Sequence, residues 1–139
     1  RLDGEIAGCI QRVPRAKRKI VTTHDALGYF ADRYGVEVVG AVIPSLSTQA
    51  QASSRDVNRL VDQIRDEGVE AIFPESAVSA KVETAIAREA GAEVAGALWA
   101  DSLGPEGSGG GTYVEATAAN AEELVLGMSG GRVTCRIRT

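Results

Sequence analysis

The sequence predicts an α/β domain built on a four-stranded parallel sheet with helices on both faces. Three observations predict it. Short runs rich in β-branched and apolar residues recur at Lys19–Thr23, Val36–Val42, Glu70–Phe73 and Ala92–Ala97. Between them lie longer stretches whose apolar residues repeat with the helical period rather than the strand period. Strands alternating with single helices form parallel βαβ units with right-handed crossovers. The chain has 139 residues, 44% of them hydrophobic and 24% charged, which suits one domain with its own core.

The elements follow in order. Leu2, Ile6, Cys9, Ile10 and Val13 make a helical stripe that Pro14 stops, since the residue before proline disfavours the α region. Strand one ends at Thr23. Leu27, Phe30, Ala31 and Tyr34 then fall on one helix face, predicting a helix over 24–34 closed by Gly35. After strand two, Pro44 and Ser45–Ala52 read as a loop, and Ser53 or Ser54 caps a helix with Val57, Leu60, Val61 and Ile64 inside. Gly68 ends it. Strand three runs into Pro74-Glu75. The next helix presents Val82, Ala85, Ile86 and Ala90 on its apolar face, up to Gly91. Strand four is Ala92–Ala97. A long loop, Leu98 to Gly111, leads to a last helix, Tyr113–Met128. The expected strand order is 2-1-3-4, which makes a switch point beside strand one.

Residues 129–139 alternate polar and apolar at their centre. An edge strand, a disordered tail and an appended remnant all remain open, with disorder favoured. Cys9 and Cys135 have neither CxxC spacing nor a neighbouring histidine. Two free thiols are favoured over a bridge.

Composition excludes several function classes. No run approaches the ~18 apolar residues of a spanning helix. No signal peptide is legible, which carries no weight in a sequence that opens at Arg1-Leu2. The net charge of −4 argues against nucleic acid, and the basic run Arg12, Arg15, Lys17, Arg18 and Lys19 reads as a solvated connector.

His24, the single histidine, follows strand one, Glu75 follows strand three, and Asp101 lies in the loop after strand four. All three are expected at the carboxyl edge of the sheet, where open α/β folds bind ligands. One imidazole and two carboxylates suit zinc or manganese. By itself, a lone histidine there is more often a helix cap or a hydrogen-bonded structural residue. For an enzyme, His24-Asp25 would supply a base and Ser76 or Ser102 a hydroxyl, but no GxSxG elbow and no HExxH is present. Gly107–Gly111 before a helix suggests a phosphate cradle, yet it lacks the Gly-Lys-Ser/Thr end of a Walker A loop and reads first as a mobile loop.

Four pieces go beyond spacing: Ile20-Val21-Thr22-Thr23-His24-Asp25-Ala26-Leu27-Gly28-Tyr29-Phe30 with Tyr34-Gly35; Ala71-Ile72-Phe73-Pro74-Glu75; Ala100-Asp101-Ser102-Leu103-Gly104; and Gly111-Thr112-Tyr113 with Asn120-Ala121. In this order the chain resembles, over about residues 1–128, the C-terminal lobe of the zinc/manganese substrate-binding proteins of bacterial ABC importers. The resemblance implies a two-lobed periplasmic-binding-protein-like (chelatase-like) fold, its α/β lobes joined by one long helix and the metal held between them. It implies His24 and Asp101 as metal ligands, with Glu75 as nearby support. It implies zinc, alternatively manganese, bound without catalysis outside the cytoplasmic membrane and presented to an ABC permease. Two further histidine ligands would come from an N-terminal lobe that this sequence does not contain. Residues 1–13 would be the end of the interlobe helix, 14–128 the metal-binding lobe, and 129–139 a tail with no counterpart. The rival reading is a small-molecule or nucleotide-binding α/β domain, enzymatic or not, using the same sheet edge. The resemblance also implies a shallow open face at that edge carrying Tyr29, Trp99 or Leu103.

Overall fold

The computed structural model describes residues 1–43, 53–76 and 79–139. The loop expected over Pro44 and Ser45–Ala52 lies outside the described residues.

The sheet contains β1 (Lys19–His24), β2 (Glu37–Ile43), β3 (Ala71–Phe73) and β4 (Glu93–Val94), all parallel, in the order β2-β1-β3-β4. This is the expected order. The side chains of β1 alternate between two apolar layers. Ile20 faces α1 (Leu2–Gln11), α2 (Gly28–Tyr34) and α5 (Tyr113–Met128), packing with Ile6, Ile10, Phe73, Leu124 and Met128. Val21 faces α3 (Ser54–Glu67) and α4 (Lys81–Ala90), packing with Ile72, Leu60, Ile64 and Ile86. Each fully buried Ile or Leu stabilises such a layer by about 1.5–3 kcal/mol relative to an exposed one.

Helix ends follow the sequence closely. Ser53 and Thr112 cap α3 and α5, each in a reciprocal capping box with Asp56 or Glu115. Gly35, Gly68 and Gly91 close α2, α3 and α4 at positive φ.

Five expectations need correction. The helix after β1 does not start at residue 24 but at Gly28. His24 still pairs with Ile43 across the β1–β2 ladder, and the Thr22 hydroxyl donates to the His24 carbonyl at 2.9 Å, so the strand runs through the histidine. His24 therefore closes a strand and does not open a helix.

β4 is shorter than Ala92–Ala97. The Ala95 amide donates to the Ile72 carbonyl, but Pro74 has no N–H with which to continue the ladder. Pairing resumes only as an isolated bridge between Glu75 and Leu98.

The buried stripe of α4 is Glu83, Ile86 and Ala87, while Val82 is 48% exposed. The inward turn of an acidic residue rotates the helix away from the purely apolar face.

Cys9 and Cys135 form a disulfide, against the favoured free thiols. It fixes residues 129–139 against α1. Among the alternatives for this segment, the structure has neither a strand nor a loose tail: it is an irregular strap with Ile137 buried. The Ile137 amide donates to Glu122 Oε1 at 2.6 Å, and Arg12 Nη1 donates to the Thr134 carbonyl at 3.0 Å.

The basic run is largely tied down. Lys17 pairs with Glu70 at 2.7 Å and Lys19 with Glu67 at 2.6 Å, while Arg18 donates to the Val13 carbonyl at 2.9 Å.

Candidate metal centre

β1 and β3 are neighbours, and the chain leaves them in opposite directions along the sheet, so the crevice between their carboxyl ends is the switch point of the fold. His24 closes β1 there. Glu75 follows Phe73-Pro74 at the end of β3. Asp101 comes in from the long loop that follows β4. The structure brings together all three residues singled out from the sequence. Each offers one ligand atom, and these atoms lie within 4.8 Å of one another, the one such grouping of three among the described residues.

Their environments differ. His24 and Glu75 are buried, and the Asp101 side chain is 64% exposed. His24 Nδ1 lies in direct contact with Glu75 Oε1, though not in hydrogen-bonding alignment, so this nitrogen is buried without a hydrogen-bond partner among the described residues. His24 Nε2 points outward to Asp101 Oδ2 at 3.0 Å. The imidazole thus has a sheltered nitrogen toward Glu75 and an outer nitrogen facing an accessible carboxylate.

That donor set fits a divalent metal ion. Ligand atoms about 2.0–2.2 Å from tetrahedral zinc lie about 3.3 Å apart, close to the separation of Nε2 and Oδ2. A carboxylate on the second ring nitrogen is the usual support of a ligating histidine, fixing tautomer and ring orientation.

The loop carrying Asp101 is built with care. Asn120, buried on α5, accepts from the Trp99 amide at 2.8 Å and donates to the Trp99 carbonyl at 2.6 Å. Gly104 and Gly110 lie flat on the Trp99 indole, where an added Cβ would overlap the ring. The Gly104 amide donates to the Gly110 carbonyl, closing the loop around the indole. The glycine run thus packs a tryptophan and is not a phosphate cradle. One amide of that helix's first turn is taken as well, since the Glu115 N–H donates to Thr112 Oγ1 at 3.2 Å. Asn120 is the supporting residue that chemical reasoning from the sequence missed. It appeared only inside a motif, and its partner lies 21 residues away.

Tyr29, on the helix that follows β1, is 96% exposed, and Leu103, in the loop that carries Asp101, is 52% exposed. Trp99, expected among them, is half-buried under its glycines.

A sequence model of the family described as zinc-uptake complex component A, periplasmic, matches residues 1–127. The chain belongs to this family. The zinc-binding protein TroA of Treponema pallidum is 34% identical over 134 residues, covering 93% of this chain and 43% of TroA. The manganese-binding lipoprotein MntA of Bacillus subtilis is 38% identical over 109 residues, covering 75% of this chain and 35% of MntA. The solved structure of periplasmic TroA superimposes with a TM-score of 0.84 at 32% identity, covering 92% of this chain and 47% of that one. The chain therefore spans less than half the length of these relatives, and its fold is one portion of a periplasmic-binding-protein fold.

Proposed function

We propose that this chain is the C-terminal metal-binding lobe of a zinc-binding, alternatively manganese-binding, substrate-binding protein that serves an ABC importer outside the cytoplasmic membrane. The metal is cargo, carried without catalysis and handed to a membrane permease. His24 Nε2 and Asp101 Oδ2 are the two ligands this lobe contributes, and Glu75 supports the imidazole from behind. An N-terminal lobe, carrying two further ligands, completes the site and covers Tyr29 and Leu103. Residues 1–13 are the end of the helix joining the lobes, 14–128 the lobe itself, and 129–139 a strap bound back onto it. The observation that carries this reading is the facing of His24 Nε2 and Asp101 Oδ2 at 3.0 Å on the open edge of the sheet. Nitrogen and oxygen donors serve both metals, and the histidine tilts the choice to zinc.

Half a ligand set cannot enclose a tetrahedral ion, so water fills the other positions. The expected affinity of this chain alone for zinc is on the order of micromolar or weaker, each tenfold loss corresponding to about 1.4 kcal/mol. Calorimetric titration with zinc tests this. His24→Ala removes most of the binding and Asp101→Ala nearly as much, whereas Glu75→Ala acts mainly on stability. Acid weakens binding, because an imidazole must give up its proton to ligate. Zinc binding that survives His24→Ala overturns the assignment. Nanomolar binding by the monomer overturns the half-site.

A further inference from the structure

Glu83 is a buried acid that the metal-site reading leaves unused. It sits on the first turn of α4, 3% exposed. Its Oε1 accepts from the Thr23 hydroxyl at 3.0 Å, and its Oε2 is buried with no hydrogen-bond partner among the described residues. An acidic residue at this third helical position ordinarily reaches back to the amide of the N-cap residue, as Asp56 and Glu115 do for α3 and α5. Glu83 instead turns into the layer formed by Val21, Ile72 and Ile86. An incompletely paired carboxyl in an apolar layer costs stability.

The ladder shows what Glu83 holds. β1 and β3 pair through Thr22 and Phe73, and no rung joins β3 to Thr23 or His24. Pro74 has no N–H, so the Thr22–Phe73 rung ties the Thr23 amide to the Phe73 carbonyl, and only His24 lacks backbone pairing on that side among the described residues. Side chains hold this end in addition. His24 lies against Glu75, and Thr23 bonds Glu83. Consecutive strand residues point to opposite faces. Glu75 and Glu83 belong to one connection, the segment from the end of β3 into α4.

We propose that Glu83 is a positioning residue for the metal site. Together with Glu75 it steadies the end of β1 on its β3 side, where the ladder stops before His24, holding the Thr23 side chain from one face of the sheet while Glu75 holds His24 from the other. The inference rests on His24 being a metal ligand. Loosening Thr23 lets the imidazole of the next residue swing away from Asp101.

The test separates positioning from stability. In Thr23→Val/Glu83→Met both polar partners give way to apolar groups of similar volume, a replacement that is often neutral or stabilising. The double variant is expected to match or exceed the parent in urea denaturation while binding zinc about tenfold more weakly, the size of effect seen when groups behind a metal ligand are removed. Glu83→Gln keeps an acceptor for Thr23 and keeps the parent affinity. Because His24 is the single histidine, its imidazole Cε1–H gives one NMR resonance in the metal-free chain. That resonance is expected to shift or split in the double variant and to stay in place in Glu83→Gln. Where the double variant does not fold, Glu83→Asp, one methylene shorter, is read in the same way. Parent zinc affinity together with an unmoved His24 resonance overturns the positioning role, provided His24→Ala has lost binding. If His24→Ala binds zinc normally, the metal reading fails by itself. The positioning role is then decided by the resonance, which overturns it if unmoved.

Discussion

His24 has an unequal pair of nitrogens, and the inequality is the chemistry of the site. Nδ1 is sealed against Glu75, and Nε2 looks out to Asp101. The three residues were legible in the sequence because each follows a strand, and parallel strands bring such residues to one edge. The support of Asp101 was less legible. Asn120 lies in mid-helix among alanines, and nothing in a helical period marks it as a partner for the Trp99 backbone. Asn120→Ala strands a half-buried amide and carbonyl. It is expected to destabilise the chain by about 1–3 kcal/mol, as the loss of two hydrogen bonds implies. It should also weaken zinc binding, since Asp101 is two residues beyond Trp99. Urea denaturation and zinc titration of the same variant check both. Full stability, or full affinity despite lost stability, contradicts the role assigned to Asn120.

Elements were legible where local chemistry alone decides them and illegible where a distant partner does. The cap at Ser53 and the closing glycines are local, and they stand where the sequence puts them; the capping box of Thr112 with Glu115 is equally local, although the expectations from sequence do not include it. β4 is cut short by Pro74 on the neighbouring strand, a residue outside its own pattern. The face of α4 is turned by the hydroxyl of Thr23, 60 residues earlier. The strap 129–139 depends on a cysteine 126 residues away. In the chain-entropy account, a cross-link closing so long a loop restricts the unfolded chain by as much as about 4–5 kcal/mol. Reduction, or Cys9→Ser/Cys135→Ser, is therefore expected to lower the thermal midpoint clearly. It should also raise amide exchange at Val133 and Ile137 ahead of the sheet. The bonds to Ser129 Oγ and Glu122 remain to hold the strap weakly. Exchange at Val133 and Ile137 that stays as slow as in β1 after reduction shows that those bonds suffice without the bridge.

Acid acts on the whole molecule through carboxylates that join its parts. Asp3 on α1 is held below its ordinary value by hydrogen bonds from Arg33 and Tyr34 of α2. Asp56 is held low by the Ser53 hydroxyl and amide at the start of α3. Glu70, just before β3, is held low by Lys17 of the segment leading into β1. In each case the folded state prefers the ionised form more than the unfolded chain does. Unfolding in acid therefore takes up protons. The stabilisation is complete above the ordinary carboxylate range, near about pH 4, and is lost as pH falls through the depressed values. The urea midpoint is expected to be level near neutrality and to fall steadily below about pH 4.5. Lys17→Met and Arg33→Met start lower at neutral pH and show a shallower fall, because Glu70 and Asp3 have lost the partners that depress them. A midpoint that stays level into strong acid, or an undiminished slope in both variants, contradicts this account. None of these pairs includes His24, so His24→Ala is expected to keep the acid slope set by Asp3, Asp56 and Glu70.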